Sequence, residues 1–226
     1  MPEEKRFDMP RPHVKICCIG STAEAFAAIG HGASALGLVG RMPSGPGVIG
    51  DPLIREIAAA VPPSVATFLL TSETEADAVV AHHRKVNTST IQIVDALDGR
   101  RYQRIRDALP DVRLVQVIHV IDEGSIREAE EVSPFVDAIL LDSGNPNLAV
   151  KELGGTGRTH DWRLSASIRE RIDIPVYLAG GLNKNNVLQA VEAVQPFGID
   201  LCSGVRTGGK LDEAKLEAFF KALERC

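Results

Sequence analysis

From Val14 to the end of the chain, short apolar runs rich in Val, Ile and Leu alternate with longer, alanine-rich amphipathic stretches. That alternation is the rhythm of a parallel sheet covered by helices. The strand-like runs are "VKICC" (14–18), "SALGLV" (34–39), "SVATFLL" (64–70), "STIQIV" (89–94), "RLVQVIHV" (113–120), "VDAILLD" (136–142), "IPVYLA" (174–179) and "GIDLCS" (198–203), each followed by a helical segment. Eight strand–helix units in 226 residues leave roughly 28 residues per unit, close to the minimum for a closed (β/α)8 barrel. The pattern therefore predicts an α/β protein with a single TIM barrel spanning 13–226, after a polar leader over 1–12. An open doubly wound sheet is the competing architecture. Its dinucleotide-binding form needs a G-x-G-x-x-G turn after the first strand, and "CCIGSTAEAF" lacks one.

Composition narrows the partners. A net charge of −5 and a pI near 5.7 argue against nucleic acid and anionic membranes, both of which require a basic stripe. No apolar run approaches the roughly 18 to 20 residues that span a bilayer, and "MPEEKRFDMPRP" is charged where a signal peptide is apolar. A cytoplasmic protein with a small-molecule partner is expected. The four cysteines, at 17, 18, 202 and 226, match neither a zinc knuckle nor a disulfide framework, so reduced thiols and no metal site are expected.

In a barrel of this kind, side chains at the C-terminal strand ends do chemistry and those at the strand starts serve stability. Cys17 and Cys18 end strand 1, Asp142 ends strand 6, "AGGLN" (179–183) follows strand 7, and Asp200 with "CSG" (202–204) ends strand 8. All gather at one mouth. The glycines after strands 7 and 8 expose backbone N–H groups where barrels of this class hold phosphate. Asp142 is a carboxylate closing an apolar strand, suited to proton transfer. His82 and His83, in the third helical segment, read as surface residues.

The segments "KICCI", "LLDS…GGTGRTHDW", "LAGGLNKNNV" and "GIDLCSGV" together resemble the N-(5'-phosphoribosyl)anthranilate isomerase family, from about Val14 to the last helix. The resemblance implies a cofactor-independent Amadori rearrangement of a phosphorylated aminosugar in tryptophan biosynthesis, by a monomer or a homodimer. It puts the general base on Cys17 and the general acid on Asp142, and it makes Asp200 a substrate-binding carboxylate. Phosphate is expected on Gly180 and Gly181 of one loop and on Ser203 and Gly204 of the other. By strand parity Lys15 and Cys17 share the inward face, while Ile16 and Cys18 face the helices, which leaves Cys18 to packing. The Lys15 ammonium would favour the Cys17 thiolate, and Lys15 and Gln92 are expected, with Asp200, among the substrate-binding residues.

Several positions depart from the family pattern. Cys18 replaces a glycine and Cys202 a serine; His160 stands for phenylalanine and Arg206 for an acidic residue. The loop "GRMPSGPGVIGD" (40–51) lacks the family's serine-proline-arginine run, and "QIVD" (92–95) keeps only Gln92 of its strand-4 motif. Arg41 is the favoured cation for the anthranilate carboxylate, with Arg158, Arg206 and His119 as alternatives. Two further readings are an isomerase of another phosphorylated aminosugar and a non-catalytic phosphosugar-binding paralogue. A metal-dependent epimerase would want more ligands at the strand ends, and a Schiff-base aldolase a lysine at the mouth.

Overall fold

The computed structural model describes residues 11–144 and 157–224. Most of the expected leader, the start of "GGTGRTHDW" and Cys226 lie outside these residues. Eight parallel strands close into a barrel in sequence order, as expected: β1 (His13–Ile16), β2 (Ala35–Val39), β3 (Ala66–Thr71), β4 (Thr90–Ile93), β5 (Arg113–His119), β6 (Ala138–Asp142), β7 (Val176–Leu178) and β8 (Gly198–Leu201). Helices α1 (Thr22–Gly30), α2 (Asp51–Ala60), α3 (Ala76–Val86), α4 (Gly99–Ala108), α5 (Gly124–Val132), α6 (Trp162–Arg171), α7 (Val187–Val194) and α8 (Glu213–Leu223) cover the barrel. Among the described residues no helix is long and apolar enough to cross a membrane.

Period-two alternation separates two apolar layers. On β6, Ile139 and Leu141 pack outward with residues of the helices, while Ala138 and Leu140 belong to an inner cluster made only of strand and strand-end residues. On β2, Leu36 and Leu38 pack outward, and Ala35 and Val39 inward. The inner bottom is filled by Phe68 and Tyr177, whose rings meet edge to face at 6.0 Å. Gly198 makes room for Tyr177, because a β-carbon there would approach the ring to 2.4 Å. Helix starts carry their own caps: Ser21, Asp98, Asp161 and Asp212 each accept a first-turn backbone N–H, satisfying donors that the helix itself leaves orphaned.

The two histidines of α3 are not surface residues. His83 is buried and its Nε2 meets the Thr88 carbonyl at 2.7 Å, while His82 is 11% exposed and pairs with Asp51 at 3.1 Å. Both lie on the flank of α3 that packs against neighbouring segments, a flank that a polar ring can occupy when a carbonyl or carboxylate meets it.

Candidate active site

The mouth is built first at the end of β1. The strand stops at Ile16, and although the Cys17 N–H still donates to the Leu201 carbonyl at 2.7 Å, Cys18 turns into the left-handed region at φ 62°. That turn overrides strand parity. Cys18 does not face the helices; its thiol joins Cys17 in the inner cluster, and both line the pocket. A non-glycine residue held there costs about 1 to 3 kcal/mol, so the surroundings must hold it.

Arg206 supplies the hold from behind. Its Nη2 donates to the carbonyls of Cys17 at 3.0 Å and Cys18 at 2.5 Å, and its guanidinium pairs with Glu24 at 3.2 Å. Glu24 also accepts the backbone N–H groups of Gly20 and Leu211, each at 2.9 Å. Burial works against the Glu24 charge, but those two N–H groups and Arg206 outweigh it and hold its pKa below the ordinary glutamate value. Arg206 is thereby committed to the thiol turn rather than to a ligand. Sequence reasoning missed this tether: Ser21 followed three residues later by Glu24 has the spacing of a helix-capping pair, which points to the helix start and not to Arg206.

Below the thiols, Lys15 is fully buried and its Nζ donates to Asp200 Oδ2 at 2.6 Å, with the ammonium 5.3 Å from the centroid of the Phe68 ring. Burial opposes the ammonium, yet Asp200 and the neighbouring cysteines more than compensate, so the Lys15 pKa is raised. Burial raises the Asp200 pKa as well, with Lys15 pulling the other way. Among the described residues the second carboxylate oxygen of Asp200 is buried with no partner at hydrogen-bond geometry, and Asp200 lines the pocket. Gly37 on β2 makes this cluster possible: a β-carbon there would lie 2.8 Å from Cys17 Sγ and 3.2 Å from Lys15 Nζ.

Asp142 ends β6, nearly buried at 8% exposure, and its Oδ1 accepts the Ser143 N–H at 2.8 Å. Counting round the barrel through β8 and β7, β6 stands three strands from β1, which puts Asp142 across the mouth from Cys17. The glycine loops lie between them. Gly180 and Gly181 have φ 84° and 61°, and a side chain on Gly181 would strike the Arg158 carbonyl carbon at 2.7 Å. A β-carbon on Gly204 would meet the Leu182 carbonyl oxygen at 2.0 Å. Backbone here packs on backbone, which leaves no room for anything but glycine. Asn183 and Asn186 each donate a side-chain N–H to the Gly181 carbonyl at 3.0 Å and lock the loop.

One pocket thus brings together Cys17, Gln92, Asp142, Gly180, Gly181, Asp200 and Ser203. Gln92 contributes a buried Oε1 that has no hydrogen-bond partner among the described residues. Lys15 sits beneath the pocket, and Gly204 behind it against Leu182. Arg41 is exposed and does not line it, its carbonyl accepting the Ser72 hydroxyl at 3.3 Å. His119 is buried with Nε2 at 3.2 Å from the Val94 carbonyl, and Arg158 is exposed, with its backbone packed on the glycine loop. Val39, Met42 and Leu70 give the side towards β2 and β3 an apolar stretch. His160 emerges as a neighbour of the acid: burial lowers its pKa, the Asp142 charge opposes that, and its Nε2 lies 2.6 Å from Ser165 Oγ. Among the described residues no cluster of three or more His, Cys, Asp or Glu side chains is arranged to hold a metal.

Comparison with known proteins identifies the family. Residues 14–222 match the family model described as N-(5'phosphoribosyl)anthranilate (PRA) isomerase. The chain is 34% identical over 203 residues to an N-(5'-phosphoribosyl)anthranilate isomerase of Methanocella arvoryzae, covering 90% of this chain and 93% of that protein. It is 35% identical over 216 residues to the protein of the same name from Haloferax volcanii, covering 92% and 91%. A crystal structure of phosphoribosyl anthranilate isomerase in complex with reduced 1-(o-carboxyphenylamino)-1-deoxyribulose 5-phosphate superposes with a TM-score of 0.76 at 26% identity, covering 95% of this chain and all of that one. The chain belongs to the N-(5'-phosphoribosyl)anthranilate isomerase family.

Proposed function

We propose that this protein isomerises N-(5'-phosphoribosyl)anthranilate to the corresponding 1-amino-1-deoxyribulose 5-phosphate, the Amadori step of tryptophan biosynthesis, with Asp142 as general acid and Cys17 as general base. The observation that carries the reading is the placement of a carboxyl and a thiol across one mouth, with the glycine loops between them. In that arrangement the phosphate rests on the backbone N–H groups of Gly180, Gly181 and Gly204 and on Ser203. The ribose then lies between Asp142 and Cys17. Asp142 protonates the ring oxygen, the furanose opens to a Schiff base, and the Cys17 thiolate removes the C2' proton to give the enolamine, which tautomerises to the ketose. The Lys15 ammonium lies beneath the pocket, bonded to Asp200 at 2.6 Å. Sugar hydroxyls then donate to the second oxygen of Asp200 and to the Gln92 amide oxygen, both buried with no hydrogen-bond partner among the described residues. Turnover needs no metal or redox cofactor, since the proton is the only group transferred.

A cytoplasmic enzyme working as a monomer or homodimer completes this reading. A second reading, an isomerase of another phosphorylated aminosugar, is favoured by one observation: among the described residues no Arg, Lys or His lines the pocket, and Arg41 stands on the rim. An anthranilate carboxylate buried without a cation costs several kcal/mol. Mixing the purified protein with phosphoribosylanthranilate and following its fluorescence separates the two. Enzymatic loss of fluorescence is expected; its absence at micromolar enzyme would transfer the chemistry to a different aminosugar.

A further inference from the structure

The Cys18 and Cys202 sulfurs lie 2.8 Å apart, closer than either needs for proton transfer at Cys17. β1 and β8 are neighbours, paired up to Ile16 and Leu201, so the two cysteines stand just past the last rung of adjacent strands. That spacing falls in the range a disulfide bridges, and closing the gap to a covalent bond of about 2.05 Å needs less than an ångström of movement. The thiol of Cys18 is held in place on every side. Its backbone sits in a conformation that favours glycine, its carbonyl is fixed by Arg206, and its sulfur lies 3.6 Å from the Pro46 carbonyl oxygen. Gly47, at φ 79°, passes so close that a β-carbon there would come within 2.5 Å of Cys18 Cβ. The loop after β2 is therefore shaped around this side chain.

We propose that Cys18 and Cys202 are an oxidation site: peroxide converts them to a reversible disulfide across the mouth between β1 and β8, and the bridged protein loses turnover. Cys202 is the more accessible partner, since Cys18 is 6% exposed whereas Cys202 is partly open and lines the pocket. The contact between the two thiols lowers the Cys202 pKa, while the sulfurs of Cys17 and Cys202 together with burial raise that of Cys18. Cys202, the more accessible of the two sulfurs and the one with the lower pKa, is the one that meets peroxide, as its thiolate. Its sulfur attacks one peroxide oxygen, the O–O bond breaks, and hydroxide leaves to give the sulfenic acid. The Cys18 sulfur then attacks the Cys202 sulfur; the S–S bond forms, the S–O bond breaks, and hydroxide departs as water with the Cys18 proton. Two thiols are oxidised by two electrons and one peroxide is reduced to two waters. The bridge ties the residue next to Cys17 to the residue next to Ser203, at the side of the pocket where base and phosphate loop meet.

The test is to treat the full-length protein with hydrogen peroxide, block free thiols, digest without reduction and identify linked peptides by mass spectrometry, with turnover of phosphoribosylanthranilate followed in parallel. The expected result is a Cys18–Cys202 linked peptide lighter by two hydrogens, a loss of at least tenfold in kcat/KM, and recovery to within twofold after dithiothreitol. Cys202→Ser and Cys18→Ala should each abolish the linked peptide and the reversible part of the loss, measured against each variant's own untreated activity. If Cys18→Ala fails to fold, Cys202→Ser alone decides. A bridge to Cys17 or Cys226 instead, sulfenylation of Cys17 as the only product, an intact thiol pair, or a bridge without loss of turnover would each overturn the proposal. The activity arm rests on the isomerase reading; the peptide arm does not, so a protein inactive on phosphoribosylanthranilate would sink that reading while the bridge was still tested.

Discussion

Replacing Lys15 by Met tests the buried foundation of the site. The substitution keeps the length of the side chain but leaves the Asp200 carboxylate, 8% exposed and bonded to Lys15 at 2.6 Å, buried with no cation. Removing one member of a buried pair costs about 3 to 5 kcal/mol, because the remaining charge is uncompensated. Neither partner is solvated enough to discount that figure. The double variant Lys15→Met with Asp200→Asn removes the charge altogether and should regain most of the loss. Urea unfolding at pH 7.5, followed by tryptophan fluorescence and circular dichroism, measures both. The pH dependence carries a second check. In Lys15→Met the burial that raises the Asp200 pKa is no longer opposed by Lys15. A carboxyl with a raised folded pKa gains stability as pH falls through that value, so the deficit should be largest near pH 7.5 and shrink towards pH 5. In the wild type the raised Lys15 pKa contributes stability that is fully present below the unfolded lysine value and lost only in strong alkali. A deficit under 1 kcal/mol, or one that grows on acidification, would refute the reasoning.

Gly37→Ala places a methyl 2.8 Å from Cys17 Sγ and 3.0 Å from Cys17 Cα; thermal unfolding should show a loss of about 1 to 3 kcal/mol, and steady-state kinetics a lower kcat. Arg206→Ala removes both bonds to the thiol turn and strands Glu24, at a cost of about 3 kcal/mol read by urea unfolding; Arg206→Lys should restore the charge pairing but not the double hold on the carbonyls, so its stability recovers further than its kcat. The Glu24 contribution, from a depressed pKa, is present above the unfolded glutamate value and lost as pH falls through the folded one, so the gap between wild type and Arg206→Ala should narrow in acid. Gly204→Ala forces a β-carbon against the Leu182 carbonyl, and phosphate titration by calorimetry should show binding weakened by tenfold or more.

The architecture was readable because each barrel strand is buried on both faces and so leaves a compact apolar run, with the polar exceptions at the strand ends. Asp142 and Asp200 stand out in the sequence for that reason. The turn at Cys18 was not readable: parity holds only while the strand continues, and a cysteine gives no hint of a left-handed backbone. Glu24 and Arg206 are 182 residues apart, and no local pattern links them. Gly37 lies inside a strand, where glycine reads as weakness until the side chains it admits are known. Arg41 follows strand 2 directly, but the direction of its loop depends on glycine and proline torsions that the sequence does not reveal, and the residue ends exposed and outside the pocket lining.

The central claim is the division of labour between Cys17 and Asp142. Its most direct test is kcat/KM for phosphoribosylanthranilate in wild type, Cys17→Ser and Asp142→Asn, alongside the affinity of each for reduced 1-(o-carboxyphenylamino)-1-deoxyribulose 5-phosphate. Each substitution should lower turnover by about 10²- to 10⁴-fold while affinity for the analogue stays within about tenfold of wild type. Either variant retaining turnover within tenfold of wild type, with its fold intact, would contradict the assignment.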